Sequence, residues 1–297
     1  MSLIYYGESF CDGIKKNGDK CINKAYYKCI GYYLCGVHAK NKHDPLPNRN
    51  KKNSEEIKSK DIEKRLEIIE KYKNINKENN KEGDIKLCKI YMMKYRFYLD
   101  GYLNIYPNYR DGNRKDGYGC SSLSPMFIGP IEHGQLNIPI SKNLENFYQG
   151  SKCFEHEAIK NDSQYIPGEI FYNNRNKFFN DDIGHRRKYK GKPLFFVWTD
   201  KYGKEYYLDY ISSRQFYCNF YERGVRLSKE FIKLKNMIKD GINIQICGYD
   251  AHEINKEGIE KAYLNNTKPF GHELVIYTML VLECKDYPWI KFKTFDF

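Results

Sequence analysis

The fold prediction rests on residues 144–154, Leu-Glu-Asn-Phe-Tyr-Gln-Gly-Ser-Lys-Cys-Phe, which place three functional side chains inside an aromatic frame. In a helix, Glu145, Gln149 and Lys152 would stand at i, i+4 and i+7 and share one stripe. A surface helix usually turns its apolar stripe inward and leaves its charges in water. The spacing therefore leaves two interpretations open, a functional face and a solvated face held by weak local pairs.

The same stretch resembles the signature helix of the NADAR superfamily. Its pattern Glu145-x-x-Tyr148-Gln149-x-x-Lys152 is similar to the family's Glu-His-x-x-Gln-x-x-Lys, with Asn146 where the family has His. Members of this family are N-glycosidases that act on ADP-ribosylated guanine and on ribosyl-amine intermediates related to riboflavin. The resemblance therefore implies cleavage of an N-glycosidic bond to a ribosylated base.

A second similarity lies in Gly248-Tyr249-Asp250 and in residues 270–280, which resemble the family's ending of an Asp, a turn and Asn-x-Leu-Gly-x-x-Leu-Met. The resemblance covers residues 121–283 with gaps. It implies that Glu145 and Asp250 are catalytic carboxylates, and that Lys152 holds a phosphate or engages the opened sugar. For substrate binding, the resemblance implies that Gln149 contacts the ribose and that Tyr148 or Trp198 stacks on the base. Arg186 and Arg187 would bind a diphosphate. The pocket would also be lined by Ser124, Met126 and Gly129. Without the resemblance, Asp250 is equally a loop cap and the two arginines belong to a solvated basic run.

The N-terminal segment carries a Cys/His pattern in which Cys11, Cys21, Cys35 and His38 suit a tetrahedral zinc site. Cys29 is a fifth candidate, which we expect to pack against the neighbouring tyrosines. The segment also resembles small Cys/His modules of large DNA viruses and bacteria. A disulfide pair or unligated thiols is the alternative. A closed four-ligand site would be structural, because it leaves no coordination position for water.

The chain of 297 residues can hold one domain of about 150 to 200 residues and smaller parts. We predict an α+β fold class: a Cys/His zinc-binding module at 1–43, a charged helical linker at 44–83 and a NADAR-like mixed helix and strand domain at 84–297. In the linker we expect Ser54 to cap the helix and residues 74–82 to form a loop. We expect a short buried strand at 124–130, a hairpin at 195–211 and a core strand at 242–247.

Charge and motif content set the expected partners and compartment. A net charge of +12 favours polyanions, so we expect a nucleotide or ADP-ribosylated substrate and allow for nucleic acid. The sequence shows neither a signal peptide nor an apolar run long enough for a membrane span, so we predict no membrane partner and a cytoplasmic protein, in the host cytoplasm if the chain is viral. Walker, Rossmann and Gly-x-Ser-x-Gly motifs are absent from the sequence.

The sequence supports three functions, in order of preference. The first is an N-glycosidase acting on an ADP-ribosylated or ribosylated base. The second is a noncatalytic module that recognises a nucleotide or RNA end with the same pocket. The third is a structural or assembly protein with a zinc staple, which predicts no deep pocket enclosing Glu145 and Lys152.

Overall fold

The computed structural model describes residues 3–4, 10–29, 31–40, 51–90, 99–108, 117–188 and 191–297, with side chains for all of these except 3–4, 29 and 51–61. The chain divides into two compact units, residues 1–63 and residues 64–297. The mixture of helices and strands in several sheets confirms the predicted α+β fold class. Within the described part of the chain, no helix is both long enough and apolar enough to cross a membrane.

The elements are named in chain order. The strands are β1 (Leu3–Ile4), β2 (Tyr27–Cys29), β3 (Tyr32–Leu34), β4 (Ile85–Lys89), β5 (Tyr102–Tyr106), β6 (Gly117–Gly119), β7 (Lys152–Cys153), β8 (Ala158–Asn161), β9 (Gln164–Pro167), β10 (Phe195–Thr199), β11 (Glu205–Leu208) and β12 (Asn243–Gly248). The helices are α1 (Gly36–Lys40), α2 (Lys51–Glu78), α3 (Leu144–Gly150), α4 (Glu169–Asn180), α5 (Tyr210–Val225), α6 (Lys229–Lys239), α7 (Ile259–Leu264), α8 (His272–Val281) and α9 (Pro288–Lys291).

The first unit holds an antiparallel sheet in the order β1-β2-β3. Its buried cluster is small and consists of Cys11, Cys21, Tyr27, Leu34, Cys35 and Ala39. Three of these six residues are cysteines, so apolar burial contributes little to the stability of this unit. A unit of this size needs an additional staple to hold its fold.

Helix α2 begins at Lys51, three residues before Ser54, and continues through the first part of the predicted loop at 74–82. Asn76 explains the extension, because its Nδ2 donates to the Gly241 carbonyl at 2.8 Å and to Asn243 Oδ1 at 2.9 Å. These contacts hold the last turns of α2 against the start of β12. The expectation of a loop from residue 74 was therefore wrong up to Glu78.

The sheet at the centre of the second unit is parallel, in the order β4-β12-β5-β6. All six residues of β12 are buried, which confirms the predicted core strand. Helices α6 and α8 pack against this strand, and α6 does so with a stripe of Phe231, Leu234 and Ile238. The sheet fixes where the chain emerges after Gly248, two residues before Asp250.

A second, antiparallel sheet has the order β11-β10-β7. Strands β10 and β11 form the predicted hairpin, in which Asp200 Oδ1 accepts hydrogen bonds from the amides of Tyr202 and Lys204. Strand β10 also pairs with β7, and this pairing sets Lys152 opposite Phe196. The expected strand at 124–130 is instead a turn region.

Candidate active site and metal cluster

A cavity of about 280 Å³ in the second unit brings together most of the predicted site residues. It lies where α3, the start of α5, the segment after β12 and the start of α8 meet. Its lining is Pro125, Glu145, Tyr148, Gln149, Lys152, Arg186, Pro193, Phe196, Tyr210, Arg214, Tyr217, Asp250, Pro269, Phe270, Gly271 and His272.

Helix α3 places Glu145 and Gln149 on the cavity wall. Asn143 caps the helix, because its Oδ1 accepts from the Asn146 amide at 2.8 Å. Glu145 and Gln149 are only 6% and 8% exposed, so this is not a solvated charged face. Gln149 Nε2 donates to Glu145 Oε1 at 2.9 Å, which holds the carboxylate in one orientation.

Lys152 lies beyond the end of the helix, as the first residue of β7, and not on a continued helical stripe. Its Nζ still donates to Gln149 Oε1 at 2.9 Å and lies 4.6 Å from the centre of the Tyr148 ring. Burial lowers the pKa of Lys152 to about 8, although the Glu145 carboxylate opposes the shift. An appreciable fraction of this amine is therefore neutral near physiological pH.

Asp250 faces the same cavity from the end of β12. Burial raises the pKa of Asp250, and the nearby Glu273 carboxylate raises it further. Glu273 is buried at the start of α8, with its Oε2 3.3 Å from Nδ1 of His272. Gly248 makes room for this arrangement, because a Cβ at that position would lie 1.9 Å from Glu273 Oε1. The two sides of the cavity thus carry carboxyl groups in different environments.

The two predicted phosphate-binding arginines are in different environments. Arg186 lines the cavity with a side chain that is 65% exposed, and its Nε lies 3.9 Å from Glu145 Oε1. Arg187 is nearly buried and pairs with Glu157 at 2.6 Å. It also donates to the carbonyls of Gln149 and Lys152. Arg187 therefore stabilises the turn between α3 and β7, and Arg186 alone of the pair faces the cavity.

Other predicted pocket residues lie outside the cavity lining. Trp198 is buried in the core, where its ring contacts Phe216, Phe220 and Phe297. Tyr148 does line the cavity, so it is the one of the two proposed stacking residues that a ligand can reach.

The segment before α3 contributes to the cavity through Pro125, and not through the three residues predicted from it. Ser124 is buried. Met126 packs against Gly184, and Gly129 packs against the Lys142 carbonyl. The segment was predicted to be a strand, in which alternate side chains would face the pocket. Because it is a turn, its side chains do not alternate, and the strand pattern could not show that Pro125 faces the cavity.

Asn146 is a residue whose role the sequence did not predict. Its Nδ2 donates to the carbonyls of Asp181 and Ile183 at 2.9 and 2.8 Å, and its Oδ1 accepts from the His185 amide at 2.8 Å. The side chain thus ties the segment 181–185 to α3, and the next residue, Arg186, reaches the cavity. Asn146 acts as a positioning residue for this wall.

Arg214 on α5 is a second such residue. Its guanidinium donates to the carbonyls of Tyr263, Asn265 and Lys268, and it is buried. These bonds hold the loop that brings Phe270 to the cavity. The only sequence signal for this role is an arginine within an aromatic helix, and that signal does not identify the partner carbonyls.

A larger cleft of about 940 Å³ runs along β4 and the segment 252–268. Much of its lining is aliphatic, with lysines and three acids around it. One of these acids, Asp84, is already engaged, because its Oδ2 accepts from the Tyr102 hydroxyl at 2.5 Å. Size favours this cleft, but chemistry favours the smaller cavity, where carboxyl groups in different environments face an amine of lowered pKa.

In the first unit, Cys11, Cys21, Cys35 and His38 form a cluster that could hold a metal ion, with all four ligand atoms within 4.8 Å of one another. His38 Nδ1 lies 3.3 Å from the sulfurs of Cys11 and Cys35, and the sulfurs of Cys21 and Cys35 are 3.9 Å apart. A tetrahedral site with a metal–sulfur bond of about 2.3 Å has sulfur–sulfur edges of about 3.8 Å. The cluster matches the four predicted ligands, and the side chain of Cys29 lies outside the described residues.

The surroundings of the cluster also fit metal binding. His38 Nε2 is 2.9 Å from the Ile14 carbonyl, and donation there leaves the Nδ1 lone pair directed at the cluster. Gly13 allows the close approach, because a Cβ there would lie 2.3 Å from His38 Cγ. Burial disfavours ionisation of Cys35, but hydrogen bonds with His38 outweigh it and lower the pKa of that thiol to about 6, whereas burial raises the pKa of Cys11.

Metal removal provides a direct test of this cluster. We expect about one tightly bound divalent ion per chain, and Cys35→Ser should lose it, because three ligands bind far more weakly than four. Elemental analysis of the purified protein measures the ion, and protease cleavage within 10–40 reports unfolding after chelation. Cys284→Ser removes an exposed cysteine and should keep the ion. A full complement of metal in Cys35→Ser would refute the assignment.

Comparison with known proteins gives no match: no family model, no curated protein and no solved structure aligns significantly with the chain. The NADAR resemblance therefore stays a prediction from residues 121–283. A function for this chain has to be inferred from the geometry of the cavity and of the Cys/His cluster.

Proposed function

We propose that the second unit is an N-glycosidase that releases a base from a ribosylated or ADP-ribosylated substrate. The observation that carries the proposal is the cavity that is lined by Glu145, Gln149 and Lys152 on one wall and by Asp250. Cleavage of an N-glycosidic bond needs a proton for the departing nitrogen and negative charge near the cationic sugar. The site offers both.

Asp250 is the proposed acid, because burial raises its pKa above that of an ordinary aspartate and so favours the protonated form. It donates this proton to the base nitrogen as the bond from C1′ breaks. The Glu145 carboxylate, fixed by Gln149, stabilises the positive charge that develops on the sugar. Lys152 then bonds to C1′, and water releases the sugar from that adduct.

Lys152 is the proposed nucleophile for the opened sugar. A buried amine with a pKa of about 8 is partly neutral, and only the neutral form can attack C1′. As Nζ bonds to C1′, the ring oxygen leaves C1′ and takes a proton from the amine, which gives an imine of the opened sugar. Water then hydrolyses the imine, which restores the amine and leaves a C1′ aldehyde, the open form of ribose. The alternative role, a cation that holds a phosphate, needs the charged form, so the two roles have opposite pH dependences.

The cavity volume sets the size of the bound part of the substrate. About 280 Å³ is just below the usual range for ligand pockets and suits a base with its ribose. A diphosphate would extend toward Arg186, which is exposed and suits bidentate phosphate contacts. Tyr148 is the proposed surface for the base.

In the first unit, we propose that Cys11, Cys21, Cys35 and His38 hold a structural zinc ion.

The test is incubation of the full-length protein with ADP-ribosylated guanine DNA and with free ADP-ribosyl-guanosine. Mass spectrometry should detect released ADP-ribose from at least one of them. Tight binding without release would favour the recognition module. Neither release nor binding would refute both the glycosidase and the recognition module.

A further inference from the structure

Residues 10–40 of the N-terminal unit carry an excess of exposed positive charge. Between residues 10 and 40 the chain has two aspartates and six lysines, and the lysines, Lys15, Lys16, Lys20, Lys24, Lys28 and Lys40, are all exposed. Both aspartates accept hydrogen bonds. Asp12 Oδ2 accepts from the Tyr33 amide at 2.6 Å, and Asp19 Oδ2 accepts from Asn17 Nδ2 at 2.8 Å. The potential around residues 10–40 is therefore positive.

Lysines in this unit stand beside apolar side chains. Phe10 pairs with Lys24, and Ile14 pairs with Lys20, in antiparallel bridges. Residues directly opposite in an antiparallel pair have neighbouring side chains on the same face. Phe10 and Ile14 are each 65% exposed, so neither is used in the core of the unit.

A third pair continues the pattern in the sheet. Lys28 is opposite Tyr33 in the pairing of β2 with β3, and its Nζ lies 5.4 Å from the centre of the Tyr33 ring. Lys20, Lys24 and Lys28 follow one another at intervals of four residues, and each interval spans at most about 13 Å. We define the basic face as Lys20, Lys24 and Lys28 with their partners Ile14, Phe10 and Tyr33.

We propose that the basic face binds single-stranded nucleic acid, with the lysines on phosphates and the rings of Phe10 and Tyr33 against bases. Surfaces that bind single strands combine cations along the backbone path with aromatic side chains for stacking. An anionic membrane would offer the same phosphate chemistry. Membrane-binding surfaces, however, present a continuous apolar face opposite a polar one, whereas in the basic face Ile14, Phe10 and Tyr33 each stand opposite a lysine. This inference concerns the first unit and does not rest on the proposed glycosidase.

Fluorescence anisotropy of a short labelled oligothymidylate, titrated with the full-length protein at several salt concentrations, tests the lysines. Each phosphate contact to a single strand contributes roughly 0.7 to the slope of log affinity against log salt. Lys20→Ala/Lys24→Ala/Lys28→Ala should reduce that slope by about 2 and lower affinity at least tenfold. The control Lys229→Ala/Lys235→Ala/Lys239→Ala, which removes the same charge from exposed positions on α6, should keep the slope.

Phe10→Ala tests stacking separately. It should lower affinity by about tenfold and leave the salt slope unchanged, because it removes no charge. The metal content of every variant is also measured. A variant that keeps its metal but loses nucleic-acid binding is still folded, so its loss of binding is due to the side chain that was removed. The proposal is overturned if the lysine triple variant binds as the wild type does, or if the α6 control loses the same slope. Binding to phosphatidylserine vesicles without binding to the oligonucleotide would assign the face to membranes instead.

Discussion

Replacing Glu145 by Gln is expected to lower kcat for base release by about a thousandfold and to change ligand affinity little. The substitution preserves the shape of the side chain and removes the negative charge that would face the cationic sugar. Glu145 is buried and held by Gln149 Nε2 at 2.9 Å, so water cannot easily replace that charge. Released ADP-ribose measures kcat, and calorimetry with ADP-ribose measures affinity.

The matched control is Glu155→Gln, which removes an exposed carboxylate outside the cavity lining and should retain full activity. Circular dichroism of both variants checks that each is folded. A Glu145→Gln variant that releases base at the wild-type rate would remove Glu145 from the reaction. If the wild type shows no turnover and Glu145→Gln binds ADP-ribose more weakly, the cavity serves recognition alone.

The sequence predicted which residues form this site better than it predicted how they are arranged. The spacing of Glu145 and Gln149 predicted one helical face, and α3 has that face. The same spacing wrongly extended the helix to Lys152, because the chain turns at Ser151 and enters β7. Lys152 still reaches Gln149, since its side chain is long enough to cross the turn.

Sequence patterns could not identify the residues whose side chains hydrogen-bond to backbone carbonyls far along the chain. Asn146 bonds to carbonyls 35 and 37 residues further along, and Arg214 bonds to carbonyls as far as 54 residues further along. No periodicity links such positions, because their partners are backbone carbonyls of irregular loops. The Cys/His cluster was predictable for the opposite reason: the metal-ligand residue types and their spacing identify it without any knowledge of the fold.

Reductive trapping should link the opened sugar to Lys152. Borohydride reduces an imine between Nζ and C1′ to a stable amine, and peptide mass spectrometry would place the added mass on the peptide containing Lys152. Trapping should increase by about tenfold from pH 7 to pH 9, because an amine with a pKa of about 8 becomes neutral as the pH rises through that value. Lys152→Met should abolish both the adduct and turnover.

Lys160→Met is the matched control, since Lys160 is exposed on the neighbouring strand β8 and should leave trapping unchanged. The direction of the pH dependence separates the two roles proposed for Lys152. A cation that holds phosphate loses its charge above pH 8, so activity would fall across the same range in which a nucleophile gains activity. Activity that falls through pH 8 with no adduct at Lys152 would therefore refute the nucleophile and leave the phosphate-binding role. Because Glu145→Gln keeps Lys152 in place, comparison of the two variants separates loss of the nucleophile from loss of charge stabilisation.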